Sequence, residues 1–426
     1  MINTRRKFLK NISAFGLWLG VSGYLAAHEE RNFELFDKLK SFNPTENDET
    51  FWNLIKQAYT TSSSIMNLNN GGVSPQPKVV QDAFERYNQL SNEAPSYYMW
   101  RILDKGRESL RQKLAQLAGC DTEELVINRN TTEALATIIF GLPLQKGDEV
   151  VLSQFDYPNM KQAWLQREAR EGIKLKWVDL KMPIEDDQVA VDAYKKQITS
   201  KTKLVHITHV INWTGQIMPV KKVADLAHSY GAEVLIDGAH SFAHLNFKIS
   251  DLGADYFGTS LHKWLCAPFG TGFMYIKKEK IEKIWPAFSP PEPKSNDIRK
   301  FEAQGTRSFP AEYAIGQAID FHLMIGSERK FQRLHFLKEY WLKQALENPK
   351  IKSFTSLNEN YSGAIASIKI EGKTRNEAVN QLMNEFQIHT TNVNIENVDG
   401  IRITPHVYTT IEDLNKLVLA LNKIAE

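Results

Sequence analysis

The sequence predicts an α/β fold: a large domain with a mostly parallel sheet flanked by helices, then a smaller α+β domain at the C-terminus. Three observations predict it. Between about residues 78 and 310, short apolar runs alternate with stretches of helical spacing, the pattern of strands joined by helical crossovers. The strand candidates are nearly continuous in branched aliphatic residues, as in Val150-Val151-Leu152 and Val234-Leu235-Ile236, which suits strands covered on both faces. After about residue 311 a long helical stretch begins, and isolated strands and helices follow it.

In chain order, Val79 to Leu90 and Asp104 to Leu117 carry helical apolar spacing, and Glu124 to Ile127 is a short strand. Thr131 to Phe140 reads as a helix, Glu149 to Leu152 as a strand and Met160 to Glu171 as a helix. Strands are expected at Lys174 to Val178, Leu204 to Thr208 and Glu233 to Asp237, with a helix at Val220 to Tyr230 before the last of them. Tyr256 to Gly258 and Gly272 to Ile276 complete the large sheet. One helical stretch is expected from Ala311 to about Leu346, then a strand at Ala364 to Ile370 and a helix at Arg375 to Phe386. A strand around Ile401 to Ile403 precedes a final helix, Ile411 to Ile424, capped by Thr410 with Asp413.

The boundaries drawn are a signal segment at 1–27, a linker and N-terminal arm at 28–77, a large domain at 78–310 and a small domain at 311–426. Hydrophobic content of 42% and charged content of 24% allow a large buried core over 426 residues. A net charge of +2 argues against binding nucleic acid or a membrane surface by bulk charge. Cys120 and Cys266 share no metal-ligand spacing and read as buried free thiols. The chain opens Thr4-Arg5-Arg6-Lys7-Phe8-Leu9-Lys10, then an uncharged stretch from Asn11 to Ala27. Basic residues, a short apolar run and small residues are the order of an export signal, and the interruptions at Gly16, Gly20 and Gly23 argue against a permanent membrane span. The arginine pair resembles a twin-arginine signal, so the expectation is a periplasmic protein delivered by that machinery, or an anchored one if the segment stays uncleaved.

The chemistry concentrates between Val234 and Lys277. A buried strand ends in Asp237, Ser260-Leu261-His262-Lys263-Trp264 follows, and Gly270-Thr271-Gly272 turns into another strand. Pyridoxal phosphate (PLP) chemistry needs a lysine amine for the aldehyde, a carboxylate on the pyridine nitrogen and donors for the phosphate. Lys263 and Asp237 fit the first two roles, and Ser260 and His262 part of the third. Alone, a lysine after a histidine is an ordinary surface lysine and a strand-end aspartate an ordinary turn residue. The ordered set is what points to the cofactor. Upstream, Asn130-Thr131-Thr132-Glu133 starts a helix directly after a strand; it is an ordinary cap or an anion site.

Ile236 to Ser241 and Ser260 to Trp264 resemble the class V aminotransferase family of fold-type I PLP enzymes, and the likeness extends over about residues 65–424. That resemblance implies PLP as cofactor, an amino-acid-like substrate and a homodimer. It implies that Lys263 is the Schiff-base lysine, Asp237 the pyridinium partner, and His240 a neighbour of the ring oxygen. Thr131, Thr132, Ser260 and His262 match phosphate contacts, and Tyr157 the ring that stacks on the pyridine. Asn212 matches a residue near the ring oxygen and the substrate. Asn70, in the glycine turn at 70–72, falls near the active site, and Arg402 matches the arginine that binds the substrate carboxylate. Gly305 and Thr306 match a segment that reaches the neighbouring subunit's phosphate. His206, His209 and His244 match no family role.

Cysteine desulfurases need a nucleophilic cysteine in the C-terminal third, and none follows Cys266. Transamination, epimerisation and a lyase or hydrolase reaction remain, all beginning with bond loss at Cα. Tyr97, Tyr98 and Arg101 resemble the substrate-facing segment of isopenicillin N epimerase-like members, so the reading leans to transaminase or epimerase chemistry. Two rivals stand beside it. Should residues 240–244 be helical, His240 and His244 would share a face and could hold a metal for hydrolysis. A PLP-fold protein that only binds is the other.

Overall fold

The computed structural model describes residues 48–288 and 290–426. The expected signal segment, residues 1–27, lies outside them. In chain order the helices are α1 (Glu49–Gln57), α2 (Lys78–Glu93), α3 (Asp104–Ala118), α4 (Thr131–Gly141), α5 (Pro158–Glu171), α6 (Asp187–Lys195), α7 (Val220–Ser229), α8 (Phe309–Ile325), α9 (Ser327–Ala345), α10 (Arg375–Phe386) and α11 (Ile411–Ala425). The strands are β1 (Met66–Asn67), β2 (Leu125–Asn128), β3 (Glu149–Ser153), β4 (Lys174–Val178), β5 (Thr202–Thr208), β6 (Glu233–Asp237), β7 (Tyr256–Ser260), β8 (Gly272–Ile276), β9 (Ile351–Ser353), β10 (Ala366–Ile370), β11 (Ile388–His389), β12 (Thr391–Ile395) and β13 (Val398–Ile403).

Seven strands form the central sheet in the order β2-β8-β7-β6-β5-β3-β4. Its neighbours pair in parallel except around β8, which runs antiparallel to both β2 and β7. Every residue of β7 and β8 is buried, as the run of apolar residues requires when helices cover both faces. One face packs Leu135, Ile138 and Trp164 of α4 and α5; the other packs Val223 and Ala227 of α7 with Ile315 and Ile319 of α8. A second sheet, β12-β13-β10-β9, is antiparallel and has its own core with Trp341 of α9 and Leu417 and Leu421 of α11.

The sheet topology places the site. Asn128, Ser153, Thr208, Asp237 and Ser260 are the last residues of five strands that run the same way, so their side chains meet at one edge. That carboxyl edge is where open α/β sheets bind ligands. α4 lies close against β7 because Gly258 has no side chain: a Cβ there would stand 2.8 Å from Ala134 and 2.9 Å from Leu135.

Several elements differ from expectation, among them the short strands β1, β9, β11 and β12, which were not foreseen. The single helix expected from Ala311 to Leu346 is two helices, because Gly326 adopts φ +89° and the chain turns there. The linker was expected to hold short helical pieces, and α1 is one; what was not foreseen is that its Phe51, Trp52 and Ile55 belong to the main core. α6 was not foreseen; Asp186 caps it by accepting from the Gln188 amide.

Gly258→Ala should force α4 off the sheet. The protein is expected to lose about 1–3 kcal/mol of stability, read as a lower thermal midpoint. An unchanged midpoint would contradict the close approach.

Candidate active site

Strand ends and one helix start build the site. Asn130 caps α4, its side chain accepting from the Glu133 amide at 2.9 Å. Glu133 turns its own carboxylate to Arg129, so the cap is one-sided, whereas Thr410 and Asp413 form the full reciprocal cap expected for α11. The first turn of α4 faces the end of β7: the Thr131 amide donates to the Ser260 hydroxyl at 2.9 Å, and the two hydroxyls are 2.8 Å apart. A helix N-terminus with these hydroxyls favours an anion.

These groups line a cavity of about 240 Å³. Thr131, Thr132, Tyr157, Asn212, Asp237, His240, Ser260, His262 and Lys263 all border it, together with Gly72, Asn130, Met160, Thr208 and Ala239. Nine of the expected site residues, from β2–α4, β3–α5, β5, β6 and β7, thus meet in one place.

Lys263 is half-buried, with its Nζ 3.0 Å from His240 Nε2. Burial brings its ammonium down to about 8 against the pull of Asp237, and Arg402 adds to the lowering. Asp237 is buried and accepts the Ala239 amide at 2.9 Å. Burial raises its pKa, while that amide, His206 and Lys263 oppose the rise. His206, buried on β5, accepts from the Trp164 indole at 2.9 Å; burial lowers it to about 4.

Tyr157 is 39% exposed at the cavity wall. Its loop is fixed by Asp156, which accepts the Ser153 amide at 2.7 Å and the Thr208 hydroxyl at 2.6 Å. Burial raises Asp156 to about 6. His262 lies 3.1 Å from the Thr271 carbonyl through Nδ1, which must then carry the proton. Burial and Lys263 lower it to about 4, leaving Nε2 bare. A phosphate would meet that nitrogen favourably only after it gained a proton, which the anion's own charge promotes.

Other expected residues lie elsewhere. Asn70 is fully buried, and its amide is spent within the fold: it donates to the Asn67 and Thr404 carbonyls at 3.1 and 2.9 Å and accepts from Asn67 Nδ2 and the Tyr408 hydroxyl at 3.0 and 2.6 Å. With both polar atoms satisfied it does not line the cavity; Gly72 of the same turn does. Arg402 stands behind the wall, donating to the Asn212 carbonyl and to Asn69 Oδ1, each at 2.9 Å, while its Nε is buried without a partner. Gly305 and Thr306 are exposed and do not line this chain's cavity. His240 and His244 do not converge: both ring nitrogens of His244 are engaged, by the His240 carbonyl at 2.7 Å and the Ala364 amide at 2.9 Å. Sequence reasoning missed Thr208, Asp156 and Trp264. Strand-end position marked Thr208; nothing marked the Asp156–Thr208 bond, made across 52 residues.

The site therefore has a neutralisable amine and a buried carboxylate on one cavity, with an anion-binding helix start beside them. This is the arrangement of a lysine-centred cofactor site at the carboxyl edge of a parallel sheet. The family model for class V aminotransferases matches residues 66–417, and the chain belongs to that family. Isopenicillin N epimerase of Streptomyces clavuligerus is 26% identical over 394 residues, covering 88% of this chain and 98% of that protein. A probable cysteine desulfurase of Halalkalibacterium halodurans is 30% identical over 303 residues, covering 67% and 73%. A C-DES variant with glycine covalently linked to its PLP cofactor superposes with a TM-score of 0.77 at 22% identity, covering 86% of this chain and 98% of that one. The protein is a PLP-dependent enzyme of fold type I.

The donor set fits that cofactor. Asp237 is a buried carboxylate, costly to keep charged without a cation, and a pyridinium supplies one. Because Lys263 loses its proton near pH 8, uptake of PLP by the apoprotein should accelerate up to about pH 8 and then level off. Absorbance-monitored uptake that keeps rising toward 10.5, the value of an ordinary lysine, would contradict this. Thr131→Ala should weaken PLP binding roughly 10-fold or more, the worth of one hydrogen bond to a charged group.

Proposed function

We propose that this enzyme breaks a bond at Cα of an amino acid, in the manner of an epimerase or aminotransferase. The observation that carries the reading is the Lys263 amine held on the same cavity as Asp237, Asn212 and Tyr157. When bound, PLP supplies an electron sink for the charge left on Cα. Lys263 carries the proton to and from that carbon. Asp237 keeps the pyridine nitrogen charged, and Tyr157 covers the ring. Arg402 receives the substrate carboxylate by giving up its present bonds to Asn69 and Asn212; its unpartnered Nε supports this. Thr131, Thr132 and Ser260 hold the phosphate.

Desulfuration, for which several relatives are named, is disfavoured by the cysteines. Cys266 is buried, its Sγ 3.7 Å from the Tyr59 hydroxyl and 3.5 Å from His406 Nε2, and burial raises its pKa. Burial likewise raises Cys120, to about 12. Neither thiol offers a thiolate on the cavity. No observation favours the lyase or hydrolase alternative over the proposal.

Two further features belong to the proposal. The enzyme is a homodimer in which Gly305 and Thr306 reach the other subunit's phosphate site; their exposure away from their own cavity supports this, as do exposed Tyr97, Trp100 and Ile102. The N-terminal segment directs export by the twin-arginine route, a reading that rests on Arg5-Arg6 and the apolar run alone.

Purified protein should show a visible band that borohydride bleaches and that Lys263→Ala lacks. In deuterated water, the holoenzyme should exchange the Cα proton of at least one amino acid, followed by proton NMR, and Lys263→Ala should cut that rate by roughly 10²–10⁴ or more. Exchange undiminished in the variant would remove Lys263 from its role. Arg402→Lys should raise KM about 10- to 100-fold with a smaller change in kcat, since a bidentate charged contact is lost.

A further inference from the structure

The ring of His240 is held between two groups of known hydrogen-bonding capacity. On one side the Trp264 indole N–H stands 3.3 Å from His240 Nδ1, and an indole nitrogen donates only. On the other side His240 Nε2 stands 3.0 Å from Lys263 Nζ. The indole cannot swing away. Its ring is fully buried, stacked on His244 with centroids 4.0 Å apart and nearly parallel to the His406 ring, 5.7 Å away. Lys330 donates to the Trp264 carbonyl and fixes the backbone beneath. His244 in turn bridges the His240 carbonyl to the Ala364 amide, so the loop carrying His240 is anchored as well.

We infer that Trp264 is a positioning residue that locks His240 as the tautomer with its proton on Nε2, so that His240 offers only a donor to Lys263 and to the cavity. With Nδ1 accepting from the indole, the neutral ring must carry its single proton on Nε2. That N–H points at the Lys263 lone pair and favours the uncharged amine. Burial above all, with the Arg402 charge acting the same way, keeps the ring neutral, so it carries the single proton that the assignment requires. The consequence follows if Lys263 is the cofactor lysine, on the reading above. His240 then donates a hydrogen bond to an oxygen beside the amine but cannot take a proton at Nε2, which leaves Lys263 as the base on this side of the cavity.

Nitrogen-15 spectra of histidine-labelled apoprotein test the tautomer directly, with His240→Gln identifying the signal. A bare Nδ1 and a protonated Nε2 are expected. A proton on Nδ1, or an imidazolium at neutral pH, overturns the inference. Trp264→Phe keeps a ring in the stack and removes the N–H. His240 can then present a bare Nε2 to the lysine ammonium, so the midpoint of PLP uptake against pH should move up by about one unit. A variant folded by circular dichroism with the wild-type midpoint would also overturn it. Should the variant not fold, the wild-type nitrogen spectra decide. Should wild-type apoprotein take up no PLP at any pH, the proposed function fails, and the same spectra still decide the tautomer.

Discussion

An amine and a carboxylate enclosed on one cavity set the terms for everything around them. Lys263 is tolerated half-buried because it gives up its proton easily, and Asp237 because a backbone amide bonds its Oδ1 and burial raises its pKa, easing the cost of its charge. Neither arrangement would survive in a loosely packed loop. Asp237 sits at the end of β6, paired with Thr208 of β5 and Gly258 of β7, so its position is as rigid as the sheet. The lysine follows β7 by three residues and is braced by the His240–Trp264 contact. Fold and chemistry thus depend on the same strand ends.

Glycine explains how the anion-binding end comes near enough to serve that pair. Gly258 admits α4 to the sheet. Gly272 does the same where β8 begins: a Cβ there would stand 2.6 Å from the Thr259 carbonyl and 2.7 Å from both Asn128 Oδ1 and Asn130 Cα. Backbone contacts this close let the Thr131 amide reach the Ser260 hydroxyl across 129 residues of sequence. The fold therefore presents a helix N-terminus, rather than flexible lysines, at the cavity wall, where an anion is favoured.

Much of this frame was legible in the sequence. Strands buried on both faces announce themselves as unbroken aliphatic runs, which is why β3, β5, β6 and β8 could be drawn closely. Asp237, Ser260 and Lys263 were legible because ordered spacing, not any one residue, marks the site. What stayed hidden involves contacts between distant segments. Asn70 lies beside the site in sequence terms, yet Thr404 and Tyr408, more than 300 positions later, consume its amide. Trp264 reads as an ordinary aromatic after the lysine, and only the fold brings its N–H to His240. Gly326 was passed over within a helical pattern because a lone glycine is tolerated there; its left-handed backbone breaks the helix.

The same reasoning separates what family membership settles from what it leaves to this chain. Relatives bearing the names epimerase and desulfurase match over most of its length. Cofactor and fold can be common to them because Asp237, Lys263 and the α4 start are fixed by strand geometry. The reaction is decided by groups that reach Cα from outside that frame. Here the one cysteine near the lysine points away from the cavity into a packed cluster with Tyr59 and His406. Its burial makes it part of the support for Trp264 and unfit as a nucleophile. On the proposed function, which those cysteines favour over sulfur chemistry, the protons held at Lys263 and His240 are what would set the chemistry open to this enzyme at Cα.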